Sequence, residues 1–498
     1  MKWRIAIFSG PLLGILVLLF TDLDPARPEM TRTAAVALLM AAWWVTEAIP
    51  LAATALIPVV LFPVLEILSG KEVAGLYFNH IIFLFLGAFM VAQAMQRWDL
   101  DRRIGLKILA LIGRGPSLIM LGFMLTTAFL SMWISNTATA MMMVPIAYSV
   151  ILKLEEEVDS RVARRFSCGL LLGIAYSASI GGISTLVGTP PNLAFARILQ
   201  INFPGAPEIS FSSWFFFAFP LCVVFFFIAW LLLILVFRSG KEHFKFNQDF
   251  FKKEYEKLGP ISFEQKIVLT VFGMLALLWM TRSPLEIGFL RIPGWSSIFP
   301  RPDFIDDGTV AITLALILFF LPSRDDAKRR ILDWHDAVKL PWGIVLLFGG
   351  GFALAHGFQT SGLSAWIGNQ LTAFQGLPVI LIVLSICALM TFITELTSNT
   401  ATTQMILPIL AAMSVSLEIN PLLLMVPATL SASCAFMLPV ATPPNAVVFG
   451  TGRLRVVDMV RVGIFLNIIG IILITAAIFI LGPLTLGIDI SVFPEWAK

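Results

Sequence analysis

Charge is scarce in this chain. Asp, Glu, Lys and Arg together make up 13% of its 498 residues, against about 25% in a soluble globular protein. That deficit excludes a string of water-clad domains, because too few ionised side chains exist to cover them. Cysteine is scarce too. Cys168, Cys222, Cys387 and Cys434 are scattered, each within an apolar stretch, and read as small buried hydrophobes rather than disulfides or metal ligands. No cluster of His and Asp with metal-ligand spacing occurs, and no nucleophile–base pair falls within one apolar segment, so an enzyme is not expected. His80, His335 and His356 lie near segment ends or beside glycines, which argues against a proton relay. The net charge of +3, without a basic tract interleaved with aromatics, excludes nucleic acid as a partner. What the chain has instead is apolar mass: 58% hydrophobic residues and a mean hydropathy of +0.90. These describe an all-α polytopic membrane protein.

Eleven apolar segments fit membrane-crossing helices, near 5–20, 33–49, 51–68, 80–96, 166–197, 214–237, 265–281, 308–322, 341–358, 422–449 and 462–482. The first resembles a signal peptide, but no small-residue cleavage site follows it, so it reads as an uncleaved span. Basic clusters at Lys2–Arg4, Arg97–Arg103, Arg161–Arg165, 238–257, Arg324–Arg330 and Arg453–Arg461 mark the cytoplasmic side, whereas 200–213, 359–378 and 416–421 lack Lys and Arg. The outer loop 282–306 is a mild exception, with three arginines and three acidic residues.

Two apolar stretches, 115–152 and 378–415, fit no single span. The first lies between Arg114 and Lys153, both on the cytoplasmic side, so it crosses an even number of times; its 38 residues barely suffice for two full helices. Its centre reads Ser135-Asn136-Thr137, residues that favour caps and turns. A re-entrant hairpin with a polar tip fits better. The same tip recurs: SNTATA at 135–140 and SNTATT at 398–403, at an offset of 263 residues. IIFLFLGAFMVAQAM (81–95) matches IVLLFGGGFALAHGF (344–358) at that offset, and TPPN occurs at 189–192 and 442–445 after YSAS and LSAS. Five crossings separate the paired segments, and basic residues follow the blocks of one half only. The halves are therefore expected to be inverted in the membrane, an arrangement of secondary transporters.

Pro190-Pro191 and Pro443-Pro444 must interrupt their helices. Each half thus presents a hairpin tip and a helix break at mid-membrane depth. Carbonyls with Ser and Asn oxygens suit sodium, and N–H groups at helix starts suit an anion. No Lys, Arg or His lies near either tip. Glu395 is the one close carboxylate; it reads equally as a functional acid or as a partner for neighbouring backbone. Two similar tips suit a substrate with two anionic ends, such as a C4 dicarboxylate.

The segments SMWISNTATA (131–140), GTPPN (188–192), TELTSNTAT (394–402) and SCAFMLPVATPPNA (433–446) resemble the divalent anion/sodium symporter family, whose bacterial sodium–dicarboxylate members are the most similar. The resemblance implies a homodimer in the plasma membrane, the inner membrane of a bacterium. Each protomer would carry a scaffold domain and a transport domain that moves as an elevator. It implies a first sodium site at Ser131, Ser135, Asn136 and Gly188, and a second at Thr394, Thr397, Asn399 and Ala441. The substrate would meet Ser135, Asn136, Thr137, Thr189, Ser398, Asn399, Thr400, Thr442 and Pro443. The expected division is 1–32 for the first span and loop, 33–240 for the first half, 241–264 for a cytoplasmic linker and 265–498 for the second half. The expected function is sodium-coupled symport of succinate, malate or fumarate, with sodium as coupling ion and no cofactor. The alternatives are a sodium-independent dicarboxylate exchanger, a carrier of sulfate or citrate, or an anion channel.

Overall fold

The computed structural model describes residues 2–112, 115–237, 249–287, 290–325 and 329–498. Arg114, part of the expected linker (241–248) and the centre of the basic cluster Arg324–Arg330 lie outside the described residues. The chain begins with α1 (Lys2–Phe20), α2 (Pro28–Thr46), α3 (Leu51–Thr54), α4 (Ile57–Val64), α5 (Gly70–Tyr77), α6 (His80–Arg97) and α7 (Leu100–Ile112). Next come α8 (Pro116–Ser131), α9 (Asn136–Glu157), α10 (Ser160–Ile183), α11 (Pro190–Asn202), α12 (Phe211–Phe237), α13 (Asp249–Lys257) and α14 (Phe263–Arg282). Two strands, β1 (Leu285–Ile287) and β2 (Leu290–Ile292), pair antiparallel, Glu286 opposite Arg291. The second half continues with α15 (Asp307–Phe320), α16 (Trp334–Ala337), α17 (Trp342–Thr360), α18 (Leu363–Gln370), α19 (Val379–Thr394) and α20 (Asn399–Ser416). It ends with α21 (Pro421–Ala432), α22 (Pro443–Phe449), α23 (Val456–Ile480) and α24 (Gly482–Thr485).

The architecture is helical, with that small ribbon in the outer loop as the departure from an all-α reading. Among the described residues, seven helices are long and apolar enough to cross a membrane, and six more apolar helices are shorter. The expected span 51–68 is one of the broken ones: Pro58, in the first turn of α4, separates α4 from α3. The expected spans 166–197 and 422–449 are each cut at their TPPN, into α10 and α11 and into α21 and α22.

The repeat holds to the residue. Adding 263 to the starts of α7, α8 and α9 gives the starts of α18, α19 and α20, and adding it to the end of α8 gives the end of α19. The hairpin arms α8 and α19 have 16 residues each, about 24 Å at 1.5 Å per residue, which is short of a hydrocarbon core of roughly 30 Å. Each hairpin turns back after a tip that opens with a capping serine. The Ser135 hydroxyl accepts from the Ala138 N–H, and the Ser398 hydroxyl from that of Ala401.

Each tip is fastened to the break beside it, by different chemistry in the two halves. In the first half the Thr185 hydroxyl donates to the Met132 carbonyl at 2.6 Å and accepts from the Gly188 N–H at 3.0 Å. In the second half Glu395, buried at the C-terminus of α19, spans the gap. Its carboxylate accepts from the backbone N–H groups of Phe436 (2.8 Å), Met437 (2.9 Å) and Leu438 (3.0 Å), and from Asn467 Nδ2 (2.7 Å). Glu395 therefore satisfies a run of unwound backbone that would otherwise lie buried and unpaired. Its counterpart in the first half, Met132, cannot do so.

Glu395→Ala is expected to strand these donors, at roughly 1–3 kcal/mol per buried group. The variant's melting temperature in detergent should fall clearly below the wild type, and Glu395→Gln, which keeps one acceptor oxygen, should fall less. Equal melting of all three proteins would show that the carboxylate does not hold the break.

Candidate binding site at the paired breaks

Three glycines bring the first tip against its break. A Cβ at Gly181 would lie 2.2 Å from the Ala128 carbonyl oxygen, and one at Gly182 would lie 2.4 Å from Asn136 Oδ1. One at Gly188 would lie 2.5 Å from the Gly182 carbonyl oxygen and 3.0 Å from that of Ser131. Ser131 donates its hydroxyl to the Ala178 carbonyl at 2.7 Å, and the Asn136 amide lies against the same hydroxyl. Turned over, the Asn136 amide nitrogen would reach the Gly188 carbonyl at 3.3 Å and that of Ala178 at 3.1 Å. Ser131, Asn136 and Gly188 thus lie together at the first tip, with the Asn136 amide nitrogen facing the oxygens of Ser131, Ala178 and Gly188. Ser135 stands one residue away with its hydroxyl committed to the cap, leaving its carbonyl, already bonded to the Thr139 N–H at 3.0 Å, as its other oxygen.

At the second tip the Thr394 hydroxyl turns back to the carbonyls of Met390 (2.9 Å) and Thr391 (3.1 Å). The Thr397 hydroxyl bonds the Ile393 carbonyl at 2.9 Å and the Thr402 hydroxyl at 2.7 Å. Such back-bonding fixes the hydroxyl hydrogens of these threonines and leaves oxygen lone pairs free. Asn399 Oδ1 is buried with no partner. Ala441 is buried, and its N–H bonds the Leu438 carbonyl at 3.2 Å, within the segment that Glu395 holds. Thr189 and Thr442 are the N-cap residues of α11 and α22; Thr442 accepts from the Asn445 N–H at 3.3 Å, while Thr189 makes no side-chain cap bond.

One expectation needs correction. The broken helices α11 and α22 are poor sources of N–H groups for an anion, because each begins with two prolines, which have none. The next amides are taken: that of Asn192 by the Thr189 carbonyl at 3.2 Å, that of Asn445 by Thr442. The free donors belong to α9 and α20, whose first-turn amides at Asn136, Thr137, Asn399 and Thr400 precede any intrahelical acceptor. The amides left free for a ligand therefore lie at the hairpin tips.

The asparagine of each TPPN was not among the expected site residues, although its duplication was the available signal. Asn192 Nδ2 donates to the carbonyls of Ile183 (3.2 Å) and Thr185 (2.7 Å), and Asn445 Nδ2 to those of Ala435 (3.2 Å) and Leu438 (3.0 Å). Each folds its half-helix back onto the break. The Oδ1 atoms of both are buried without partners, and so are the hydroxyls of Ser179 and Ser433 at matched places in YSAS and LSAS. The donor set is carbonyl, hydroxyl and amide oxygen, suited to a hard cation such as sodium.

Residues 12–486 match the family model of the sodium:sulfate symporter transmembrane region. The chain is 42% identical over 493 residues to the sodium-dependent dicarboxylate transporter SdcS of Staphylococcus saprophyticus, covering 98% of this chain and 93% of that protein. The SdcS of Staphylococcus aureus is 43% identical, with 98% and 92% covered. Among solved structures, that of Neisseria gonorrhoeae MtrF, described as illuminating a class of antimetabolite efflux pumps, superposes with a TM-score of 0.55 at 15% identity, over 86% of this chain and 85% of that one; this likeness concerns the fold alone. With a family model spanning nearly all of the sequence and relatives matched almost end to end, the chain belongs to the sodium:sulfate symporter family, and it is a multi-pass membrane transporter rather than an enzyme.

Proposed function

We propose that this protein is a secondary active transporter of the plasma membrane that couples sodium to the uptake of C4 dicarboxylates such as succinate, malate and fumarate. The observation that carries this reading is the pair of oxygen-lined tips, one per inverted half, with helix-start amides beside them and no fixed cation. A dianion there needs bound sodium to offset its charge, and sodium in an oxygen cage gains from the dianion. That mutual gain is the coupling. Sodium is the coupling ion, held at Ser131, Ser135, Asn136 and Gly188 and at Thr394, Thr397, Asn399 and Ala441; no further cofactor enters. The substrate lies between the two Ser-Asn-Thr tips, reached also by Thr189, Thr442 and Pro443. The names of the Staphylococcus relatives support both sodium and dicarboxylate.

Movement of a transport domain against a scaffold is supported by an asymmetry between halves that are otherwise matched. In the second hairpin Gln404 is fully buried, lying over Gly351 of α17 so closely that a Cβ on the glycine would be 2.3 Å from Gln404 Cδ; its counterpart Met141 is 55% exposed. Val187 at the first break is 4% exposed, and its counterpart Val440 is 77% exposed. Trp133 packs on Phe272 (centroids 5.1 Å apart) and Phe211 (5.8 Å), while its counterpart Leu396 is 70% exposed. Helix α11 packs against α17 and α6, whereas α22 packs on α9 and α10 and leaves Pro443, Ala446 and Gly450 exposed. Because α22 leads towards Arg453 and Arg455, the uncovered side is cytoplasmic. This is one end state; exchanging the roles of the halves yields the other, with α11 uncovered to the outside. Helices α8 to α12 and α19 to α23 form the moving unit, α1 to α6, α14, α15 and α17 the scaffold, and two protomers associate through their scaffolds.

In proteoliposomes, labelled succinate should accumulate only under an inward sodium gradient. Equal uptake without sodium would favour an exchanger, stronger competition by sulfate or citrate would change the substrate, and absence of counterflow would mean a channel. Asn136→Ala and Asn399→Ala should each lower uptake at least 100-fold with melting temperature within a few degrees of wild type; full activity in either refutes the site. In a cysteine-free background, Ala446→Cys should react with an impermeant maleimide from the cytoplasmic side, and external sodium with succinate should change the rate.

A further inference from the structure

Arg197 stands two turns along α11 from Pro190, about 10 Å at 1.5 Å per residue. It is a partly buried guanidinium at membrane depth. Its Nε is buried with no hydrogen-bond partner, and its one described side-chain bond runs from Nη1 to Gln200 Oε1 at 3.4 Å. No ion pair to it occurs among the described residues. Gln200 also hydrogen-bonds His80, and the groups electrostatically coupled to this cluster are His80 at the start of α6, His356 near the end of α17, Glu72 of α5 and Asp306 before α15. Arginine at such depth normally finds a carboxylate; one left without it marks a functional place.

The repeat shows what is particular to it. At the 253-residue offset of the two TPPN motifs, Arg197 corresponds to Gly450, which is exposed in the cytoplasmic opening beside α22. The two mouths are built alike but differ at this position: an unpaired arginine on α11, a glycine on α22, where the nearest arginines, Arg453 and Arg455, are tied to Glu155 and Asp458.

We propose that Arg197 is an anion-recruiting residue of the outer mouth. It is covered by α6 and α17 in the state described here and uncovered when α11 opens to the outside. There it raises the local concentration of dicarboxylate dianions before they pass to the tips, without being a ligand in the bound state. This inference rests on the alternation of the two halves argued above. The unpaired charge meets the incoming dianion at about 10 Å from the site, close enough to favour capture and too far to hold the bound substrate. Because the arginines beside Gly450 are already paired with Glu155 and Asp458, the external affinity for substrate is tuned separately from the internal one.

The test uses the full-length protein in proteoliposomes of known orientation. Arg197→Gln should raise the external KM for succinate roughly 5- to 20-fold at low ionic strength, with little change in maximal velocity or in the sodium concentration for half-maximal rate. The increase should shrink as choline chloride is added at constant sodium. Arg197→Lys should restore most of the affinity, and the cytoplasmic KM measured in counterflow should be unchanged in both variants. An unaltered external KM in Arg197→Gln, or equal shifts on both sides, overturns the inference while leaving sodium-driven uptake at saturating succinate as the separate test of the transport reading. A lowered melting temperature in Arg197→Gln with unchanged external KM would assign the residue to packing alone.

Discussion

Backbone that leaves a helix inside a membrane must find partners within the protein, and the arrangement of both halves follows from how that is achieved. Glu395 accepts from three consecutive amides of the second break. Asn192 and Asn445 donate to the carbonyls that the breaks leave open. Once these contacts are made, little of the broken backbone is free. What remains open lies at the tips and at the breaks beside them: the leading amides of α9 and α20, the orphaned Asn399 oxygen, and the partnerless oxygens of Asn192, Asn445, Ser179 and Ser433.

The two halves satisfy their breaks differently. A neutral hydroxyl, Thr185, fastens the first tip, and a carboxylate, Glu395, fastens the second. The repeat is thus a repeat of geometry with unequal chemistry, and the same inequality recurs in its packing. Gln404 lies closed over α17 while Met141 is open, and α11 is covered while α22 is not. A perfectly symmetric molecule would present both mouths equally. These differences set the side of the molecule around α11 apart from the side around α22.

Much of this was legible in the sequence because it rests on strong local constraints. Proline pairs must break helices, Ser-Asn-Thr must cap them, and two copies at one offset place both hairpins; the helix starts obey that offset to the residue. Other features depend on contacts far apart in the chain. Glu395 could be read as a functional acid or a backbone partner, and only the fold brings Phe436 to Leu438 to it. The lack of free amides at the starts of α11 and α22 follows from the prolines themselves, which carry no N–H. The division of 51–68 into two short helices, and the small ribbon in the outer loop, follow from local proline and turn chemistry that hydropathy averages away. Which mouth is open is a property of domain packing, on which a one-dimensional pattern is silent.

A site that carried its own cation would bind a dianion whether or not sodium were present, and substrate could then cross alone. Coupling on the proposed reading needs the reverse: an empty site too weak for the anion without sodium, and too weak for sodium without the anion, so that neither crosses by itself. The composition of the tips meets that condition. They hold neutral oxygens and amides, and the one nearby carboxylate is already bound by backbone and by Asn467. Positive charge is still useful for drawing dianions out of water, but it must stand off the site to leave the coupling intact. Arg197, two turns from the break and with no counter-ion among the described residues, occupies that kind of place. A charge moved from Arg197 to the tips would strengthen binding and weaken coupling in the same step.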